Sequence, residues 1–348
     1  MDFRSDNVAG AAPEILAALE AANRGTDTSY GEDAVTARLA RRFSEIFEHE
    51  VAVFPVATGT AANALALAAI TPPWGIVYCH EEAHVIVDEC GAPEFFAGGA
   101  KLIPVPGDNA KIAPAAIAAR FTERGFVHHA QPAAISISQP TEAGAIYRPD
   151  EVAALGAFAA IEQLGLHMDG ARFANAVATL GCAPADITWR AGVDALSFGA
   201  TKNGALAAEA VIFFDPAKAR DMGYRRKRGG HLISKMRFLS AQLDAYLADD
   251  LWLRNARHAN EMAARLAAGL ARLAGVRLRH PTEANEVFVE LPERVIRALI
   301  ADGYKFYRWG GGDSTCLRLV ASFATLADSV DKLISAAASH LARANAPD

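Results

Sequence analysis

Short, nearly continuous apolar runs alternate with stretches of helical periodicity through the first two-thirds of the chain. The runs Val51–Val56, Ile76–Tyr78, Lys101–Val105, Ala133–Ser138, Leu166–Met168, Asp194–Phe198 and Glu209–Phe214 predict strands. Segments such as Ala133-Ala-Ile-Ser-Ile show no strict in-and-out alternation, as expected where both faces of a parallel sheet are covered. Between the strands, Thr60–Ile70, Pro114–Phe121, Pro149–Leu164 and Ala171–Leu180 predict helices. Strand alternating with helix implies right-handed crossovers, and so an α/β fold with a mostly parallel sheet sandwiched by helices.

The pattern changes after Phe214. Pro216–Met222 predicts a short helix with proline at its first position, Tyr224–Gly230 a basic loop, and Leu232 to Leu273 one or two long helices. The tail predicts strands Val276–Leu278, Glu286–Leu291 and Cys316–Ala321 with helices Arg294–Ala301 and Ala327–Ala342. A large α/β domain over residues 1–250, including the N-terminal segment, and a smaller α+β domain over 251–348 are therefore expected.

Bulk composition narrows the function classes. The chain has 348 residues, 52% hydrophobic and 21% charged, enough for a sizeable core. Its net charge of −6 gives no reason to expect nucleic acid or an anionic membrane as partner. Cys79, Cys90, Cys182 and Cys316 are scattered, with no C-x-x-C pair, so neither a disulfide framework nor a metal site is expected. Met-Asp-Phe-Arg-Ser-Asp-Asn at the start has no basic segment leading into an apolar run, and no stretch reaches the length of a membrane span. A cytoplasmic protein is the expectation.

The chemistry gathers after the predicted strands, where open α/β sheets bind ligands. Lys202 stands in Ser197-Phe-Gly-Ala-Thr-Lys-Asn-Gly, among small and apolar neighbours unlike those of a solvent-facing charge. A half-buried lysine is costly unless paired or used covalently. Asp169 ends the Leu166–Met168 run; it suits a helix N-cap, and equally a carboxylate paired with a pyridinium nitrogen. Together the two residues suit pyridoxal 5′-phosphate, with Lys202 as the Schiff-base former.

Other pieces fit the same cleft. Thr58-Gly59-Thr60 opens a helix after the first strand; alone it is a weak signal, but its free amides and hydroxyls would suit a phosphate. Arg172 would offer a fork for a carboxylate or the cofactor phenolate. His84, just past the second strand, is placed to stack on the ring and relay protons, although a lone histidine is more often structural. Arg318 interrupts an apolar strand and needs a partner, which a substrate carboxylate would supply.

Arg4-Ser-Asp-Asn7, Tyr30-Gly-Glu-Asp33, Thr58-Gly-Thr-Ala-Ala-Asn63, His84, His167-Met-Asp-Gly-Ala-Arg-Phe-Ala-Asn175 and Ser197-Phe-Gly-Ala-Thr-Lys-Asn203 together resemble the bacterial low-specificity L-threonine aldolases. These are fold-type-I pyridoxal-phosphate enzymes, and the resemblance covers nearly the whole chain. It implies that Lys202 is the cofactor lysine, Asp169 the pyridinium partner, Gly59 and Thr60 phosphate ligands, and His84 the stacking residue. It implies further that Ser5, Arg172 and Arg318 bind the substrate carboxylate and that Tyr30 lines the site. Arg225-Arg-Lys-Arg228 is similar to the segment by which a neighbouring subunit reaches the phosphate, in a homodimer or homotetramer; Arg228 represents it here.

One departure stands out. Many threonine aldolases carry a histidine in the turn after the fifth strand, where this chain has Ser138-Gln-Pro-Thr-Glu142-Ala-Gly. His84, a water or Glu142 remain as proton acceptors. The expected reaction is cleavage of L-threonine, L-allo-threonine and related β-hydroxy-α-amino acids to glycine and an aldehyde. The alternatives are a phenylserine-type aldolase, β-elimination or transamination on a small amino acid, and a scaffold without turnover.

Overall fold

The computed structural model describes residues 1–345. Seven strands form the main sheet: β1 Ala52–Val56, β2 Gly75–His80, β3 Lys101–Val105, β4 Gln131–Ser138, β5 Gly165–Gly170, β6 Ala195–Gly199 and β7 Glu209–Phe213. Their spatial order is β1-β7-β6-β5-β4-β2-β3. Strands β6, β5, β4, β2 and β3 are parallel, whereas β7 runs antiparallel to both β6 and β1. Six strands therefore present their carboxyl ends to one edge, and β7 presents its first residue, Glu209, to the same edge.

Every residue of β2, β6 and β7 is buried, because helices cover both faces. The Gly59–Ile70 helix is apolar on all sides and buried continuously from Ala61 to Ala68. Under β6, Phe198 meets Phe43 edge-on at 5.1 Å between centroids and Trp252 at 5.9 Å. This aromatic packing fixes the strand that leads into Lys202.

The second sheet is antiparallel: β8 Arg277–Leu278, β9 Glu286–Glu290, β10 Tyr307–Arg308 and β11 Cys316–Val320, in the order β10-β11-β9-β8. Its core holds Leu266, Val287, Leu319, Val330 and, from the other end of the chain, Phe3. Phe3 donates its N–H to Lys305 O and accepts from Val320 N, both at 2.8 Å. The N-terminal segment, assigned above with the large domain, is thus stitched to the small sheet.

The structure alters some local expectations and keeps others. Residues 224–228 are not a loop but the end of a Met222–Arg228 helix, preceded by a short 3₁₀ turn at Pro216–Ala219. Arg and Lys are good helix formers, and Arg226 packs over the Phe54 ring at 5.5 Å instead of reaching into solvent. The Leu232–Leu273 stretch is two helices, Arg237–Leu247 and Leu251–Ala271, broken where Asp249 and Asp250 take positive φ. The helix expected from Ala171 begins at Phe173, with Arg172 in a non-helical conformation as its cap. Helices Pro13–Ala22 and Ala34–Phe47 were not anticipated.

Candidate active site

A cleft of about 490 Å³ opens at the edge where the six strands end, a volume suited to a cofactor with a small substrate. Its lining includes Thr58, Gly59 and Thr60 after β1, His84 after β2, Asp169 and Arg172 around the end of β5, and Lys202 after β6. Residues far apart in sequence meet because each ends a strand of one sheet.

The lysine turn is rigid. Lys202 is the middle residue of a 3₁₀ turn, Thr201–Asn203. Asn203 donates to Tyr246 OH at 2.6 Å and to Trp252 O at 2.8 Å, and accepts on its own carbonyl from Asn255 Nδ2 at 2.8 Å. The small residues around it answer to sterics. A Cβ on Gly199 would lie 2.4 Å from Ala171 O, so only glycine lets β6 pass the end of β5, and Gly204 has φ +120°. Beneath the turn, buried Glu209 accepts from Ala200 N at 2.8 Å. Burial pushes its carboxyl up to about 7, despite hydrogen bonds from Thr201 and the attraction of Lys202.

Asp169 is buried and oriented. One oxygen accepts from Ala171 N at 3.0 Å and the other from Asn63 Nδ2 at 2.8 Å. The same Asn63 amide donates to Glu89 Oε1 at 2.8 Å, which also meets His84 Nδ1 at 2.9 Å. A chain of four side chains thus joins Asp169 to His84. The Glu89 bond raises the His84 pKa above its ordinary value, against the desolvation that lowers it, with Asp169 and Glu142 adding to the rise. Two residues before Asp169 on β5, His167 bridges Ser136 and Ser197 at 2.9 and 3.0 Å; burial lowers its pKa to about 4, so it is neutral.

Arg172 is already engaged. Its Nε and Nη2 donate to the two carboxylate oxygens of Asp6, and Nη1 lies 3.5 Å from Glu286. Burial pushes the Asp6 carboxyl up, but Arg172, with Lys202 and Asn285 behind it, overrides that and holds it below the usual range.

Four predicted residues lie off the cleft lining. Ser5 Oγ caps the Asp6–Val8 turn by accepting from Asn7 N at 3.1 Å, and it is Asn7 that faces the cleft. Arg318, on β11 opposite Phe288, stacks over Trp309 at 5.0 Å, with its Nε buried and without a partner among the described residues. It shares a face of the small sheet with Phe288 and Glu286, the face turned toward Arg172. Tyr30 is exposed, with Lys227 over its ring at 4.8 Å, and Arg228 is exposed on the Met222–Arg228 helix. Sequence reasoning missed Asp6, Asn63, Glu89, Glu209 and Glu286 as site residues. Glu209 left a readable signal, a charge heading the apolar run Ala-Val-Ile-Phe-Phe.

The residues fit pyridoxal 5′-phosphate on structural grounds. The amides of Gly59 and Thr60 have no acceptor among the described residues, and the space where a Cβ of Gly59 would stand is open, which makes a phosphate cradle at a helix N-terminus. Asp169, its orientation fixed by Asn63 and Ala171, lines the same cleft as Lys202. A doubly covered sheet with these groups at its carboxyl edge defines a fold-type-I pyridoxal-phosphate enzyme.

Residues 2–293 match the family described as Beta-eliminating lyase, and the chain belongs to that family, among its low-specificity L-threonine aldolases. It is 47% identical over 309 residues to the low specificity L-threonine aldolase of Pseudomonas sp. (strain NCIMB 10558), covering 89% of each chain. The enzyme of that name from Pseudomonas aeruginosa is 48% identical over the same length, again 89% of each. Among solved structures, Leishmania major threonine aldolase superposes with a TM-score of 0.90 at 29% identity, over 97% of this chain and 98% of that one. Thermus thermophilus aspartate aminotransferase shares the fold alone, with a TM-score of 0.70 at 16% identity, over 97% and 90%.

Proposed function

We propose that this lyase cleaves the Cα–Cβ bond of L-threonine, L-allo-threonine and related β-hydroxy-α-amino acids, giving glycine and an aldehyde. The observation that carries the reading is one cleft holding Lys202, Asp169 and the Thr58–Thr60 turn in a chain of this family. Pyridoxal 5′-phosphate, when bound, supplies the sink for the electron pair released from that bond.

Each side chain then has a task. Thr58, Gly59 and Thr60 hold the phosphate through a hydroxyl and free amides. Asp169, kept in place by Asn63 and Ala171, keeps the ring nitrogen protonated. Lys202 anchors the cofactor through Nζ, and His84 covers the ring. Arg318 and Arg172, with Ser5, would take the substrate carboxylate, and that grip would orient the Cα–Cβ bond for cleavage once the cofactor is bound. His84 and Glu142 both line the cleft and, with a water, are the candidates to carry the β-hydroxyl proton.

A homodimer or homotetramer is part of the same reading, with Tyr30 and Arg228 completing a neighbour's site. Their exposure, together with that of Tyr224 at 80% and Leu206 at 57%, supports it. Among the described residues no helix is long and apolar enough to cross a membrane. A cytoplasmic location agrees with the scattered free cysteines.

The test is a substrate panel on the holoenzyme: L-threonine, L-allo-threonine and phenylserine, with aldehyde and keto acid both assayed. Acetaldehyde from either threonine supports the reading. A keto acid with no aldehyde identifies β-elimination or transamination instead.

A further inference from the structure

Four carboxylates line the cleft, and three are committed. Asp169 is held by Asn63 and Ala171, Glu89 by His84 and Asn63, and Glu209 by Ala200. Glu142 alone makes no hydrogen bond or ion pair with any described residue, although burial, Asp169 and Glu286 push its carboxyl above its ordinary value. Glu142 is half-buried between two openings, and an acid left without a partner in a cleft is a candidate for chemistry.

The backbone holds it there firmly. Thr141 N–H donates to Ala145 O and Gly144 N–H to Thr141 O, both at 2.8 Å, closing a tight turn around Glu142. The Thr141 hydroxyl pins that turn to Asn109 O at 2.8 Å. Glu142 also lines a second, outer groove of about 960 Å³, bounded by residues such as His80, Asp88, His280 and Trp309. It is the one residue of the inner cleft that this outer groove shares, so a proton taken on one side has a way out on the other.

His84 already has a partner: its Nδ1 is bound to Glu89, which fixes the ring where it can cover the cofactor.

Resting on the aldolase reading above, we propose that Glu142 is the catalytic base that removes the β-hydroxyl proton as the Cα–Cβ bond breaks. The O–H bond pair becomes the second C–O bond of the aldehyde. The Cα–Cβ pair stays with Cα, where one proton drawn from solvent completes glycine, and Glu142 returns the hydroxyl proton to water in the outer groove, so no net proton is gained or lost. No oxidant or reductant is needed.

Glu142→Gln keeps the shape and removes the base. Cofactor affinity and visible absorbance should be unchanged, and exchange of the glycine α-proton into D₂O, which involves no hydroxyl, should persist. Threonine cleavage should fall about 10²- to 10⁴-fold, the usual worth of a general base, and Glu142→Asp should recover part of it. In the cofactor-free protein the same Gln variant should melt higher than wild type at pH 8. Facing Glu142 are the repelling Asp169 and Glu286 and the attracting Lys202, Arg172 and His84, with Asp88, Asp108, Arg279 and His280 on the groove side. Because its folded pKa is raised above 4.5, the charged form destabilises the fold at high pH, and the melting difference should shrink as the pH falls toward 4.5. Cleavage kept within tenfold, about 1.4 kcal/mol of barrier, would overturn the proposal, as would parallel loss of glycine exchange or a melting difference independent of pH. If wild-type enzyme exchanges glycine but releases no aldehyde, the aldolase reading itself has failed.

Discussion

Arg172 grips Asp6 at two points, Nε at 2.7 Å and Nη2 at 3.1 Å, across 166 positions of sequence. Because Phe3 is built into the core of the small sheet, this contact fastens that sheet's N-terminal strap to the wall of the cleft. Asp6→Asn removes the charge that neutralises a buried guanidinium. Breaking a buried pair from one side costs about 3–5 kcal/mol, so denaturant unfolding should show a loss of that order. KM for the amino acid should rise more than kcat falls, because the residue positions Arg172 and touches no reacting atom.

The Glu89–His84 bond makes a pH-dependent contribution. His84 titrates at a higher pH folded than its ordinary 6.5, chiefly through Glu89. The stabilisation is therefore fully present below pH 6.5 and fades as the pH rises through the raised folded value. Melting curves of wild type and His84→Gln should differ most near pH 6, with wild type the more stable, and that advantage should shrink toward pH 9. A difference that grows with pH would contradict the assignment.

Gly199 is a steric requirement of the lysine turn. A methyl group there would come within 2.4 Å of Ala171 O, which is backbone and cannot step aside cheaply. Gly199→Ala should destabilise by about 1–3 kcal/mol, the usual cost of overpacking, with cofactor affinity falling because Lys202 and Asp169 are displaced together. Paired thermal melts and cofactor titrations check both parts.

The readable portion of the site was local. Lys202, Asp169 and the Thr58–Thr60 turn each end or follow a short apolar run, and a parallel sheet must bring such positions to one edge. What could not be read were partners joined only by folding. Asp6 precedes β1 and Arg172 follows β5, 166 positions apart, and Glu286 arrives from the second sheet. Asn63 looks like an ordinary helix residue until its amide is seen between Asp169 and Glu89. The basic run at 225–228 suggested a loop because charge alone is silent about periodicity, whereas packing of Arg226 on Phe54 made it a helix.

The central claim is that Lys202 anchors the cofactor for carbon–carbon cleavage, and Lys202→Ala tests it most directly. Wild type and variant would be reconstituted side by side, scanned for visible absorbance and given L-threonine, with acetaldehyde and glycine quantified. The account predicts equimolar acetaldehyde and glycine from wild type, and from the variant neither the lysine-dependent absorbance band nor measurable cleavage. Aldehyde release by Lys202→Ala at a rate comparable to wild type would contradict it.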